Sequence, residues 1–174
     1  MPEFFRKIEL PALNITSSDF DAMCGDVAVA YNTGKSLLRY MVVDNMTYDL
    51  AEMMDPYIEP TVLFAKYSGV GQLYPHRDHG PKTVLNYYVD TENCETRFYT
   101  LDDESEKYTK NVFKKAPMRL SDSFIAKDGD FYLLNVDEVH SVDRIDKVKT
   151  RRFISWQWPI DYNTILEALT RNNK

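Results

Sequence analysis

The residues best suited to chemistry are few and widely spaced. The chain holds only three histidines, and two of them stand in segments of strand-and-turn character, PHRD (Pro75 to Asp78) and EVHSV (Glu138 to Val142). In an extended segment successive side chains alternate faces, so His76 and Asp78 project together while Arg77 points away. If the EVHSV segment lies across from PHRD, His140 completes a facial set of two imidazoles and one carboxylate. Such a set holds a metal ion on one side and leaves positions open on the other for a chelating co-substrate and dioxygen, the arrangement associated with non-haem Fe(II) oxygenases. His79 is expected to point away from this face into solvent. By itself HxD is a common tripeptide that equally describes a surface turn, so the elements that carry it must decide.

Those elements read as strands in the second part of the chain. From Thr61 onward short runs rich in Val, Tyr, Phe and Leu are separated by Gly, Asp, Asn and Pro: TVLFAKY, TVLNYYV, TRFYTL, SFIAK, DFYLLNV and RFISWQW. Their lengths and spacing predict a β-sandwich or barrel, and no interleaved helical pattern suggests a parallel doubly wound sheet. Earlier, IELPAL (Ile8 to Leu13) fits a short edge strand ending at a proline. Phe20, Met23, Val27 and Ala30 recur at three and four residues after a Ser/Asp start, which predicts an amphipathic helix over Ser17 to Ala30. A second helix is expected over Tyr48 to Met54, stopped by Asp55-Pro56. A terminal helix is expected over Asn163 to Leu169. The fold class is thus α+β, mainly β, with helical support over 1–60 and a β core over 61–160.

At 174 residues the chain suits one domain (1–174) with one core. Its 44% apolar and 28% charged residues are those of an ordinary soluble globular protein, not a disordered one. No apolar run is long enough to span a bilayer and the start lacks a secretory pattern, so no membrane role and a cytoplasmic location are expected. Cys24 and Cys94 suggest neither a disulfide framework nor a Cys-based zinc site. A net charge of -6 disfavours nucleic acid as a partner. The one basic stretch, Lys107, Lys110, Lys114, Lys115 and Arg119, reads as a solvated loop within a polar segment, 102–123, that is the best candidate for a mobile lid.

Several segments, in order, resemble the prolyl 4-hydroxylase-like Fe(II)/2-oxoglutarate-dependent oxygenases. KYSGVGQLYPHRD (Lys66 to Asp78) is similar to that family's strand, turn and iron-binding segment. TVLNYYV and CETRFY resemble its next strand and its GGETxF segment, KDGDFYLLNVDEVHSV its approach to the distal histidine, and RRFISWQWPI (Arg151 to Ile160) its closing strand. Two departures stand out. Tyr74 lies two residues before His76 where the family leaves three, and Asn93-Cys94 replaces two glycines. The resemblance implies a double-stranded β-helix (jelly-roll, cupin-like) core, Fe(II) on His76, Asp78 and His140, and 2-oxoglutarate and dioxygen as co-substrates.

It also implies a basic residue for the 5-carboxylate of 2-oxoglutarate, because a buried anion must be paired and an arginine fork fits a carboxylate. The family's spacing from the distal histidine favours Arg151, and its spacing to a tryptophan favours Arg152. Alternation selects Arg152, since Ile154, Trp156 and Trp158 then share its face as a pocket wall. Thr83, Leu85 and Tyr87 alternate on the face that the family's equivalent strand turns to the co-substrate, and Tyr67 supplies a further hydroxyl. Asn86 is expected on the opposite face. The implied reaction is hydroxylation of a substrate C–H bond coupled to decarboxylation of 2-oxoglutarate. The substrate would be a prolyl or other residue of a peptide or protein, or a small molecule. Two other readings keep fewer of these residues: a cupin-like metal protein that does not use 2-oxoglutarate, which needs no buried arginine, and a metal-free partner-binding sandwich.

Overall fold

Runs of β-branched and aromatic residues cut by turn formers become strands because each can bury at least one face of a pleated surface. The computed structural model describes residues 3–24, 28–32, 37–41, 50, 53–54, 56–58, 62–68, 73–91, 93–113, 115–143 and 151–171. Among them the strands are β1 (Phe5–Ile8), β2 (Ala28–Asn32), β3 (Leu37–Met41), β4 (Val62–Ser68), β5 (Leu73–His76), β6 (Thr83–Asp90), β7 (Glu95–Leu101), β8 (Met118–Ile125), β9 (Phe131–Asn135), β10 (Val139–Asp143) and β11 (Arg151–Trp158). The helices are α1 (Ser17–Cys24) and α2 (Tyr162–Arg171). The strands form two antiparallel sheets, a larger one in the order β1-β9-β6-β11-β4-β3-β2 and a smaller one in the order β5-β10-β7-β8. The molecule is mainly β and consistent with a double-stranded β-helix.

The larger sheet is buried on both faces by different partners. On its outer face Leu85, Tyr87, Val89, Ile154, Trp156 and Trp158 pack with Phe20 of α1 and with Tyr162, Ile165, Leu166 and Leu169 of α2. On its inner face Val84, Tyr88, Leu134 and Phe153 meet Phe98 and Phe124 of the smaller sheet. Both helices are capped from sequence. In α1, Thr16 and Asp19 satisfy each other's backbone amides as a capping box, at 2.9 and 3.1 Å. In α2, the Asp161 carboxylate accepts from the Thr164 amide and hydroxyl, which holds its pKa below the usual range. No described helix is long and apolar enough to cross a membrane.

Three expectations are corrected here. The helix predicted over Ser17 to Ala30 ends at Cys24, and Ala28–Asn32 is a strand paired with β3. Apolar spacing alone could not separate the two, because a strand that borders a helix extends the same run. The edge strand expected over Ile8 to Leu13 lies earlier, at Phe5–Ile8, where β9 offers it a partner. Residues 1–60, expected to be helical support, supply three strands to the larger sheet. The helix expected over Tyr48 to Met54 lies mostly outside the described residues, and the terminal helix runs from Tyr162 to Arg171 rather than from Asn163 to Leu169.

Candidate metal centre and inner-face polar site

The smaller sheet brings the chemical residues together. His76 closes β5, Asp78 follows two residues later, and His140 is the second residue of β10, directly opposite His76 in the antiparallel register. The two rings lie 4.3 Å apart between centroids. The ligand atoms of His76, Asp78 and His140 all fall within 4.8 Å of one another. His140 is buried against Phe98, its register partner in β7, with ring centroids 5.7 Å apart.

Hydrogen bonding fixes how each imidazole is presented. Nδ1 of His76 lies 2.8 Å from the carbonyl of Tyr74, and Nδ1 of His140 lies 2.9 Å from the carbonyl of Glu138. A carbonyl only accepts, so each Nδ1 carries a proton, and in the neutral ring that leaves the Nε2 lone pair directed at the shared space. Both Nε2 atoms face Asp78 Oδ1, at 3.4 and 3.8 Å. Outer bonds of this kind orient metal-binding histidines. His79 is exposed and lies 3.3 Å from the Asn111 side chain, apart from the cluster.

Across the gap, the inner face of the larger sheet is polar where it could have been apolar. Arg151 is 4% exposed, yet its guanidinium meets only neutral groups: the Tyr88 hydroxyl at 3.0 Å, Thr96 Oγ1 at 3.3 Å, and the faces of the Tyr88 and Phe153 rings. Among the described residues no carboxylate pairs with it. Asn86 is also buried, and its Oδ1 has no hydrogen-bond partner. Its Nδ2 contacts the Tyr88 hydroxyl at the long distance of 3.5 Å. Exchanging the two amide atoms, which have nearly the same shape, lets Oδ1 accept the Tyr88 proton and turns Nδ2 inward as a donor. Ser155 and Gln157 continue this strip on β11, with one bond of 3.5 Å between their side chains.

The residues expected to hold the co-substrate fall elsewhere. Arg152 is on the outer face, bonded to Asp21 of α1 at 2.9 and 3.0 Å and to Asp90 at 3.1 Å. A bulge between Arg152 and Phe153 in the β6 register lets Asp90 reach it while Val89 stays in the apolar layer. Tyr87 is buried in the helix-covered cluster, its ring tilted against that of Phe131 with centroids 4.7 Å apart. Burial raises its pKa, partly offset by bonds from the backbone of Ile15 and Leu13. The Thr83 hydroxyl donates to the carbonyl of Ile160 at 2.8 Å. Tyr67 stands opposite Arg152 in the β4 register, and its side chain lies outside the described residues. Ile154, Trp156 and Trp158 do share a face with Arg152, but that face meets helices. The inner face therefore carries the neighbours of the expected residues on β6 and β11: Arg151, the alternative that the spacing from the distal histidine favours, Asn86, which was expected on the opposite face, and Tyr88, with Thr96 of the smaller sheet, neither of which was singled out. The signal that could have found them is the lone amide in β6 and the polar alternation Arg151, Ser155, Gln157 within an otherwise apolar β11.

No protein-family model and no curated protein sequence matches this chain. Among solved structures the fold recurs in HygX from Streptomyces hygroscopicus with nickel, 2-oxoglutarate and hygromycin B bound, at 14% identity and TM-score 0.54 over 88% of this chain and 81% of that one. It recurs in the epimerase SnoN in complex with Fe3+, alpha ketoglutarate and nogalamycin RO, at 14% identity and TM-score 0.51 over 80% of this chain and 71% of that one. A 2OG-Fe(II) oxygenase family oxidoreductase from Burkholderia pseudomallei aligns at 8% identity and TM-score 0.51 over 80% of this chain and 76% of that one. At these identities the likeness is one of fold alone.

Proposed function

We propose that this chain is a single-domain Fe(II)- and 2-oxoglutarate-dependent oxygenase with a double-stranded β-helix core, in which His76, Asp78 and His140 hold the metal and Arg151 receives the 5-carboxylate of 2-oxoglutarate. The observation that carries the reading is the buried arginine without an anion, on the inner face opposite the triad. An unpaired buried charge is costly, and with no carboxylate on it among the described residues, an entering anion would relieve it. The donor set suits the metal as well, since two neutral imidazoles and one carboxylate on one side are the ligands that non-haem Fe(II) favours. A cupin-like protein without 2-oxoglutarate needs no such arginine.

In this reading each side chain has a defined task. Arg151 fixes the far end of the co-substrate, with the Tyr88 and Thr96 hydroxyls sharing its bonds and holding the guanidinium in one orientation. Asn86 offers its inward amide hydrogens to a carboxylate oxygen, and Tyr88 donates to Asn86 in turn. The apolar layer of Phe98, Phe124 and Phe153 keeps water from the interior, which strengthens each of these bonds. Metal and co-substrate together would supply oxidative decarboxylation of 2-oxoglutarate and oxidation of a substrate C–H bond, with hydroxylation the outcome we favour. The substrate class we infer is a small molecule or a peptide residue, the first being what HygX and SnoN hold.

The test is anaerobic. Purified protein should bind one Ni(II) or Fe(II) per chain and then 2-oxoglutarate, with a weak visible charge-transfer band when iron and the oxo acid are both present. Alanine at His76, Asp78 or His140 should abolish metal binding with circular dichroism unchanged. Metal binding without any affinity for 2-oxoglutarate would move the assignment to the cupin-like reading, and no metal binding would end both.

A further inference from the structure

Two segments supply the candidate ligands, and the residues between and just ahead of those ligands are charged. Arg77 joins His76 to Asp78, while Asp137 and Glu138 lead into His140. Arg77 Nε donates to the carbonyl of Asp137 at 2.7 Å, and one terminal nitrogen pairs with the Asp137 carboxylate. The other terminal nitrogen donates to the carbonyl of Lys107 at 2.8 Å. Lys107 is itself buried, 7% exposed, and its ammonium pairs with Glu138 at 2.5 Å. Glu138 is the residue whose carbonyl accepts from His140 Nδ1. Tyr108 covers the Arg77 guanidinium, which lies 4.6 Å from the ring centroid.

We infer that Arg77 and Lys107 are positioning residues for the metal centre, clamping the Asp137–Glu138 turn, and through it His140, at a fixed separation from His76 and Asp78. The inference rests on the metal-centre reading above. Backbone pairing between β5 and β10 shifts register between His140 and Val142, so the ladder alone holds the two ligand segments loosely at this point. Arg77 ties across it with two bonds to Asp137, and a third holds the carbonyl of Lys107. Lys107 adds a second tie from the 3-10 turn Glu104–Tyr108, and a lysine is buried only where its charge is matched. The clamp has a second effect. Asp137 and Glu138 are carboxylates within three residues of a ligand, and pairing them with cations removes them as competing oxygen ligands, leaving Asp78 to the metal.

The experiment uses the full chain and two probes, Ni(II) by calorimetry and Co(II) by its visible spectrum, with thermal unfolding of each metal-free variant alongside. Arg77→Gln and Lys107→Met should each weaken Ni(II) binding by about 10- to 100-fold, the usual effect of losing an outer partner, and should alter the Co(II) band shape. Arg77→Lys should fall between wild type and Arg77→Gln, since an ammonium can replace only part of the fork. Arg97→Gln, which breaks the pairs with Glu95 and Asp143 in the same sheet, should leave both readouts unchanged. Wild-type Ni(II) affinity and Co(II) spectrum in folded Arg77→Gln and Lys107→Met would overturn the clamp and leave the metal centre standing. Should Arg77→Gln fail to fold, Lys107→Met decides alone. Equal weakening in Arg97→Gln would make the effect a general loosening of the sheet and overturn the positioning role. Wild type that binds neither ion would overturn the clamp together with the metal centre.

Discussion

The two faces of the larger sheet come from the same strands, one residue out of step, and they differ in kind. On the helix-covered face Leu85, Tyr87, Ile154, Trp156 and Trp158 form an apolar layer in which the main polar tie is the Trp156 indole donating to the carbonyl of Leu50 at 2.8 Å. On the inner face Asn86, Tyr88, Arg151, Ser155 and Gln157 are as deeply buried but are mostly polar. The first face holds the fold together. The second is costly to bury, because the Arg151 guanidinium has no anion among the described residues and the Asn86 amide has polar capacity left unused. A face built this way is what the proposed co-substrate site requires.

The largest effect that would test the contrast is on the apolar side. Trp156→Ala removes a fully buried side chain and its indole bond, and should lower unfolding stability by about 3–5 kcal/mol in urea titration. It should leave 2-oxoglutarate affinity unaffected in whatever fraction stays folded. A loss much under 1 kcal/mol would mean that this layer does not dominate stability.

Arg151→Leu should show the opposite pattern. Binding of 2-oxoglutarate to the metal-loaded protein should weaken by about 2–5 kcal/mol, the cost of breaking a buried charge-assisted pair. Unfolding stability without ligand should be maintained or rise, since a buried charge without an anion is replaced by an apolar group. A strongly destabilised variant with normal affinity would show that Arg151 belongs to the structural face after all.

Its neighbour should do little to either property. Arg152 pairs with Asp21 and Asp90 at partly exposed positions. Arg152→Leu should therefore change stability, and 2-oxoglutarate affinity, by less than about 1 kcal/mol. Calorimetry on the two arginine variants side by side tests the register directly. A large affinity loss in Arg152→Leu with none in Arg151→Leu would reverse the assignment of the faces.

The smallest effect lies on the solvent side of the smaller sheet. A side-chain bond from Arg97, then one from Ser123, holds the Glu95 carboxyl below its usual pKa. A depressed folded-state value stabilises the protein above the ordinary carboxylate pKa, and the gain is lost as pH falls through the lowered one. Arg97→Gln should raise the Glu95 pKa towards its ordinary value, as an NMR titration reads. Solvent screening keeps the stability change to about a few tenths of a kcal/mol.

Much of this was legible in the residues themselves. The alternation of HxD put His76 and Asp78 on one face whatever the fold, and turn formers at regular intervals marked five strands near their observed bounds, while SFIAK met only the end of β8. Lys107 was misread with its basic neighbours as part of a solvated loop, because nothing local announces that Glu138 waits for it far along the chain. The faces of β6 and β11 were assigned the wrong way round for a more general reason. A period of two dictates which residues travel together, so Arg151 goes with Ser155 and Gln157, and Arg152 with Ile154, Trp156 and Trp158. Which set looks inward is normally told by which is apolar, but a sheet covered on both sides buries both. Only the packing of α1 and α2 over the tryptophans, and of the smaller sheet over Tyr88 and Phe153, decided that the arginine on the inner face is Arg151.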